Sequence, residues 1–130
     1  SVIRQGRETV TVEPLSSKWL EYEDFADADT FGDYIAYQMT ENGAPAASGT
    51  ALFCAPKHFR FADPQLALRV EGDEIVVTAA AYARSVQILN ADDTLKLSDN
   101  FFDMNAGETR VRILSGQPSG LRVRSVYDIR

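Results

Sequence analysis

The hydrophobic positions of this chain come in short alternating runs. Leu66, Leu68 and Val70 alternate with Ala67, Arg69 and Glu71, the period-two pattern of a strand with one buried face. Gly72-Asp73 turns the chain, and Glu74 to Thr78 returns with Ile75 and Val77 predicted to face inward. Ala79 to Arg84 has helix-forming residues, yet it is shorter than a stable helix and lies between β-branched runs, so it reads as extended chain or a short turn. Val86 and Ile88 begin another strand that ends at Asn90-Ala91-Asp92-Asp93, and Leu95-Lys96-Leu97 is a further extended run. Arg110-Val111-Arg112-Ile113 and Leu121-Arg122-Val123-Arg124 alternate cleanly on either side of the Gly116 to Gly120 breaker.

The N-terminal part follows the same grammar. Val10 to Val12 and Trp19 to Tyr22 are β-prone runs separated by Pro14-Leu15-Ser16-Ser17, which predicts two entering strands. Asp24 to Asp33 gathers four aspartates around Phe25 and Phe31 and reads as a loop with aromatic anchors, because aspartate is depleted in sheets. Tyr34 to Thr40 places Ile35, Tyr37 and Met39 on one face, and Ala46 to Phe53 returns beyond Asn42-Gly43, a pair that favours positive φ and hence a hairpin. Ala55 to Pro64 is bracketed by prolines and is predicted to cross between sheets. Eight or nine strands at intervals of roughly ten residues predict an all-β fold, an antiparallel two-sheet β-sandwich. No heptad, fixed-period repeat or low-complexity tract competes with that reading.

Composition narrows the setting. The chain has 130 residues, enough for one core, and is read as a single domain over 1–130, with 1–33 as entering strands and loop. Its hydrophobic share of 45% and charged share of 25% are those of a soluble globular domain, and no apolar run has the length of a membrane helix. A formal charge of -6 has the wrong sign for a nucleic-acid partner. The single cysteine, Cys54, allows no internal disulfide and is compatible with a cytoplasmic or a periplasmic location. Beginning at Ser1 without a signal region, the chain reads as a piece of a longer protein.

Cys54 and His58, four apart, invite a nucleophile and base reading; the alternative is a buried thiol at a strand end and a surface histidine, which is preferred. One Cys and one His do not make a closed zinc site. Asp24, Asp27, Asp29 and Asp33 form one carboxylate cluster, and Asp99, Asp103, Asn105 and Glu108 another, but neither has the spacing of an EF-hand loop, so turn-capping roles are expected. Trp19, Tyr22, Tyr34, Tyr37 and Tyr82 could form a sugar-stacking platform; Trp19 and Tyr37 are expected in the core, leaving Tyr22 or Tyr82 for a binding face. No catalytic, metal or cofactor residue is assigned.

The most informative stretch is Ser98-Asp99-Asn100-Phe101-Phe102-Asp103, followed by Ala106-Gly107-Glu108. Physically, Asp99 and Asn100 are suited to hold a turn, one of the two phenylalanine rings is expected in the core, and Gly107 supplies a positive φ before the returning strand. Together with Leu97 and the strand through Ile113, this run resembles the C-terminal immunoglobulin-like domain of β-mannosidases of glycoside hydrolase family 2. Phe53, Pro56-Lys57 and Asp63-Pro64 match further landmarks in order, while Ala106 stands where that family has proline. The resemblance is best over 34–127. It implies an immunoglobulin-like sandwich that is a non-catalytic accessory part of a retaining glycosidase acting on terminal β-mannosides, whose catalytic glutamates lie in a separate barrel. The partners it implies are the other domains of that enzyme, with β-mannoside substrate met only through the parent. A carbohydrate-binding module and a cell-surface interaction domain are the alternatives.

Overall fold

Pairing of the alternating runs builds the molecule outward from its centre. The computed structural model describes residues 1–129 and contains nine strands: β1 Tyr34–Glu41, β2 Ala44–Leu52, β3 Ala67–Glu71, β4 Glu74–Ala79, β5 Ala83–Leu89, β6 Lys96–Leu97, β7 Phe102–Met104, β8 Gly107–Ser115 and β9 Arg122–Arg124. Two 3-10 turns, Pro56–His58 and Val126–Ile129, are the only helical pieces among the described residues. One sheet has the order β3-β4-β8-β6 and the other β7-β5-β9, all neighbours antiparallel. From β4 onward each successive strand changes sheet, so the two layers are laced together by every connection.

The core lies between those layers. Ile75, Val77 and Ala79 of β4 and Val111 of β8 meet Ala83, Val86 and Ile88 of β5 and Met104 of β7, with Leu68, Leu97, Phe102, Ile113 and Val123 closing the rim. Ile75 and Val77 face inward as their alternation predicts, and both are fully buried. Val76, on the opposite face of β4, is also 0% exposed. Its register partners are Arg69 on β3 and Arg110 on β8. Arg69 reaches over β4 to Glu108 and Arg110 reaches back to Glu71, at 2.9 and 2.8 Å, so arginine stems and their ion pairs roof the valine. Hydrogen bonds from Arg69 and then Arg110 hold the Glu71 carboxyl below its ordinary range.

The hairpin β1–β2 is a separate two-stranded ribbon. Asn42 and Gly43, at φ 50 and 82°, make its two-residue turn, and the strands begin two residues closer to that turn than the expected Ala46 start. An aromatic cluster fastens the ribbon to one end of the sandwich: Tyr34 stacks on Tyr82 at 3.9 Å, and Phe59 and Phe61 are buried beside them with Leu52 and Cys54. Ala55 to Pro64 thus crosses from the ribbon to the first sheet, with Phe59 and Phe61 as its anchors.

Three expectations are corrected. Val10 to Val12 and Trp19 to Tyr22 form no strands, and Trp19, expected in the core, is 95% exposed. β-propensity describes fitness for a paired, half-buried surface, and these runs have no partner strand among the described residues. Tyr37 and Met39 do share a face with Ile35, but that face of a two-stranded ribbon is uncovered, so Tyr37 is 57% exposed where burial was expected.

Candidate functional site

The Ser98 to Glu108 run is mostly a device for holding β5. The β7 ladder stops at the pair Phe102–Val86, and the next position along β5 is Ile88. There Asn100 substitutes its side chain for a strand: its Oδ1 accepts the Ile88 N–H at 2.9 Å and its Nδ2 donates to the Ile88 carbonyl at 3.1 Å. Three residues on, Asp103 does the same for a defect in the ladder. Between Ala83 and Val86 β5 has one residue more than β7, and Ser85 adopts φ 51°. The Asp103 Oδ1 accepts the Ser85 N–H at 2.8 Å, which satisfies the amide that the bulge frees. Between these two clamps Phe102 packs on the core and Phe101, at φ 61°, is turned outward and 62% exposed. Gly107, at φ 129°, opens β8 as expected. Glu108 was expected to cap a turn; it instead belongs to the ion-pair roof over Val76.

A cleft of about 760 Å³ lies where the bulge faces the ribbon. One wall is β1–β2, with Tyr37, Gln38 and Ser48; the other is β5 and the segment through Asp103, with Arg84, Ser85 and Phe101. Its floor is tied by a relay. Thr50 donates to the Asp103 carboxylate, so the Tyr82 hydroxyl donates to Thr50 Oγ1 at 2.7 Å, and Tyr34 donates to Asn105 Oδ1 at 2.7 Å. Burial raises the Tyr82 and Tyr34 phenols above their ordinary range, so both stay donors. Arg84 Nη1 is buried without a hydrogen-bond partner and stands 3.9 Å from the Asp103 carboxylate.

The other candidates go elsewhere. Cys54 packs against the aromatic cluster, and His58 is exposed on its 3-10 turn. The first aspartate group caps its own loop: Asp24 accepts from the Ala26 amide, Asp29 from Phe31, and Asp33 from Asp29. Among the described residues no three His, Cys, Asp or Glu side chains are grouped to hold a metal, and no helix is long and apolar enough to cross a membrane. Tyr22 is as exposed as Trp19 and stands alone, whereas Tyr82 is buried. Of the cleft residues, Tyr37, Asp99, Asp103, Asn105 and the outward ring of the Phe101-Phe102 pair are among the sequence candidates, whereas Arg84, Thr50 and Gln38 carry no sequence signal of their own.

A family profile described as Ig_mannosidase, an Ig-fold domain, matches residues 61–129, a little over half of the chain. The chain belongs to this family of mannosidase Ig-fold domains. The match spans the whole sandwich from Phe61 and contains both β5 clamps, so the fold is immunoglobulin-like and the Ser98 to Glu108 run is part of that Ig-fold domain. Comparison with curated proteins and with solved structures returned no match.

Proposed function

We propose that this mannosidase Ig-fold domain is a non-catalytic accessory part of a β-mannosidase-like glycoside hydrolase and packs against other domains of that enzyme. The observation that carries the reading is the use made of the most reactive-looking residues. Asn100 and Asp103 are occupied by the backbone of β5, inside the very segment that the family match covers. A glycosidase needs two carboxyl groups facing one another about 5–10 Å apart across a sugar-sized cleft, with one free to give a proton. Asp103, accepting from Thr50 and from Ser85, is committed as an acceptor.

The packing role draws support from the surface. Trp19, Leu20 and Tyr22 are exposed, as are Tyr37 and Met39 on the ribbon. A two-stranded ribbon with an open apolar face is marginal by itself and gains from a covering neighbour. The hydrolysis of terminal β-mannosides, with retention, belongs to the parent in this reading.

The test is made in the longer enzyme. Deleting 61–129 is expected to lower its thermal midpoint and its yield, while Asp99→Asn and Asp103→Asn leave kcat on an aryl β-mannoside within a few fold in protein that remains folded. Loss of kcat by several orders of magnitude in a folded Asp99→Asn or Asp103→Asn enzyme would refute the proposal.

A further inference from the structure

We infer that residues 8–52 are one half of a second β-sandwich, and that the surface they present is completed by antiparallel strands from another part of the longer enzyme. The inference rests on the proposed function only in placing the chain within a longer enzyme; the surface itself is argued from its residues.

The β1–β2 ribbon turns its polar face to the sandwich it adjoins. Gln38, Ser48 and Thr50 look toward Arg84, Ser85 and Asp103, and Thr50 bonds to the Asp103 carboxylate. Only at the base of that face do Tyr34 and Leu52 make an apolar contact, against Phe59, Phe61 and Tyr82. Strand alternation sends Ile35, Tyr37 and Met39 to the opposite side, where their register partners are Ala51, Gly49 and Ala47. That side bears no charge and a single hydroxyl, and it points away from the described sandwich. The Tyr37 ring lies down across Gly49, where a Cβ would stand 2.6 Å from the ring's Cζ, so the apolar face is low and broad, suited to a second sheet packed on it. A ribbon that served the described sandwich alone would bury this face against it and leave the polar one to solvent.

The arm that precedes the ribbon has the matching deficit in its backbone. Val10 to Val12 and Trp19 to Tyr22 make no backbone hydrogen bond among the described residues, although the turn between them is formed, with the Ser16 N–H donating to the Glu13 carbonyl at 3.2 Å. Trp19 and Tyr22 are each 95% exposed, so these β-prone runs lack both a ladder and a cover. The root of the arm, by contrast, is built. Arg4 pairs with Glu23, donates to the Asp24 carbonyl at 2.8 Å and stands 5.0 Å from the centre of the Phe25 ring. Phe25 in turn packs on Phe53, directly after β2, at 5.6 Å. The arm is thereby held beside the ribbon, and the two are offered together.

The occupant has to pair the backbone of two runs and the outer edges of β1 and β2, which pair only with each other, and has to cover Ile35, Tyr37 and Met39. A helix satisfies its own N–H and C=O groups and offers no ladder, whereas a sheet supplies both ladder and cover. The tempo agrees: segments starting at Val10, Trp19, Tyr34 and Ala44 are spaced as sandwich strands are, and the family match to the described sandwich begins only at residue 61.

The test is hydrogen–deuterium exchange by mass spectrometry on the 130-residue chain and on the longer enzyme. Peptides covering 8–22 and 34–52 are expected to exchange fast in the 130-residue chain and about a hundredfold slower in the longer enzyme. Met39→Lys, at an exposed position, leaves the thermal midpoint of the 130-residue chain unchanged and lowers that of the longer enzyme by several degrees. Equal exchange of 8–22 in both proteins overturns the inference. So does a longer enzyme in which only 34–52 is slowed, since a neighbour that covers the face without pairing the arm is not a sheet. Protection already present in the 130-residue chain, and rising with its concentration, assigns the surface to a second copy and overturns the inference as well. None of these results bears on kcat of the Asp99→Asn and Asp103→Asn enzymes, so the accessory-domain reading stands or falls separately.

Discussion

Replacing Asn100 by alanine removes a strand surrogate rather than a turn cap, and the two roles differ in size. The side chain satisfies both the N–H and the C=O of Ile88, a residue only 4% exposed in the middle of the second sheet. Each hydrogen bond is worth about 0.5–1.5 kcal/mol net, and a buried backbone group left unpaired costs about 1–3 kcal/mol. Asn100→Ala is therefore expected to destabilise the chain by about 2–4 kcal/mol, and for a domain of this size each kcal/mol moves the thermal midpoint by roughly 3–5 °C. Asp99, which bonds only the adjacent Asn100 amide on the surface, is the built-in comparison, and Asp99→Ala should cost about 0.5 kcal/mol. Urea denaturation gives both values, and native-state hydrogen exchange at the Ile88 amide locates the effect. An Asn100→Ala chain whose midpoint falls no further than that of Asp99→Ala, or whose Ile88 amide stays protected, would refute the surrogate-strand argument.

Three further outcomes follow from the same geometry. Val76 and Val77 are both 0% exposed, but Val77 faces the close-packed core while Val76 lies under arginine stems that can settle onto a smaller side chain; Val77→Ala should cost about 2–3 kcal/mol and Val76→Ala distinctly less, as read by chemical denaturation. The Glu71 carboxyl titrates below its ordinary 4.5, so its contribution is present above that pH and is lost as pH falls through the lowered folded-state value; a stability profile from pH 6 downward should decline more steeply for the parent chain than for Glu71→Gln. Tyr82→Phe removes the donor to Thr50 while keeping the stacked ring, and is expected to lower stability by about 1 kcal/mol and to loosen the ribbon, seen as faster exchange of the Thr50 amide.

The sandwich was legible in the sequence wherever a strand had a partner to make its alternation meaningful. Ile75 and Val77 against Arg110 to Ile113 is such a case, because two period-two runs with complementary faces leave one way to bury both. Val10 to Val12 and Trp19 to Tyr22 carry the same local signal and form coil, since propensity counts only once another strand supplies the ladder. Ile35, Tyr37 and Met39 share a face as their alternation predicts, yet the face stays open, because periodicity reports which residues lie together and not what covers them. The candidate site shows the same division. Asn100 and Asp103 were recognisable as structural amide and carboxylate, but the strand they serve lies more than ten residues away and was not. Arg84 reaches the cleft through a bulge that exists only because three steps along β5 face two along β7, a mismatch no local pattern records.

The carboxylates of the Ser98 to Glu108 run hold backbone and carry no reaction, which is open to direct test. The most direct measurement is hydrolysis of an aryl β-mannoside by the purified 130-residue chain, parent and Asp103→Asn side by side. The prediction is no turnover above the buffer rate from either, with a lower unfolding midpoint for Asp103→Asn, since an amide NH2 replaces one of the two oxygens that accept from Ser85 and Thr50. Saturable turnover by the parent chain that disappears in a folded Asp103→Asn chain would contradict it.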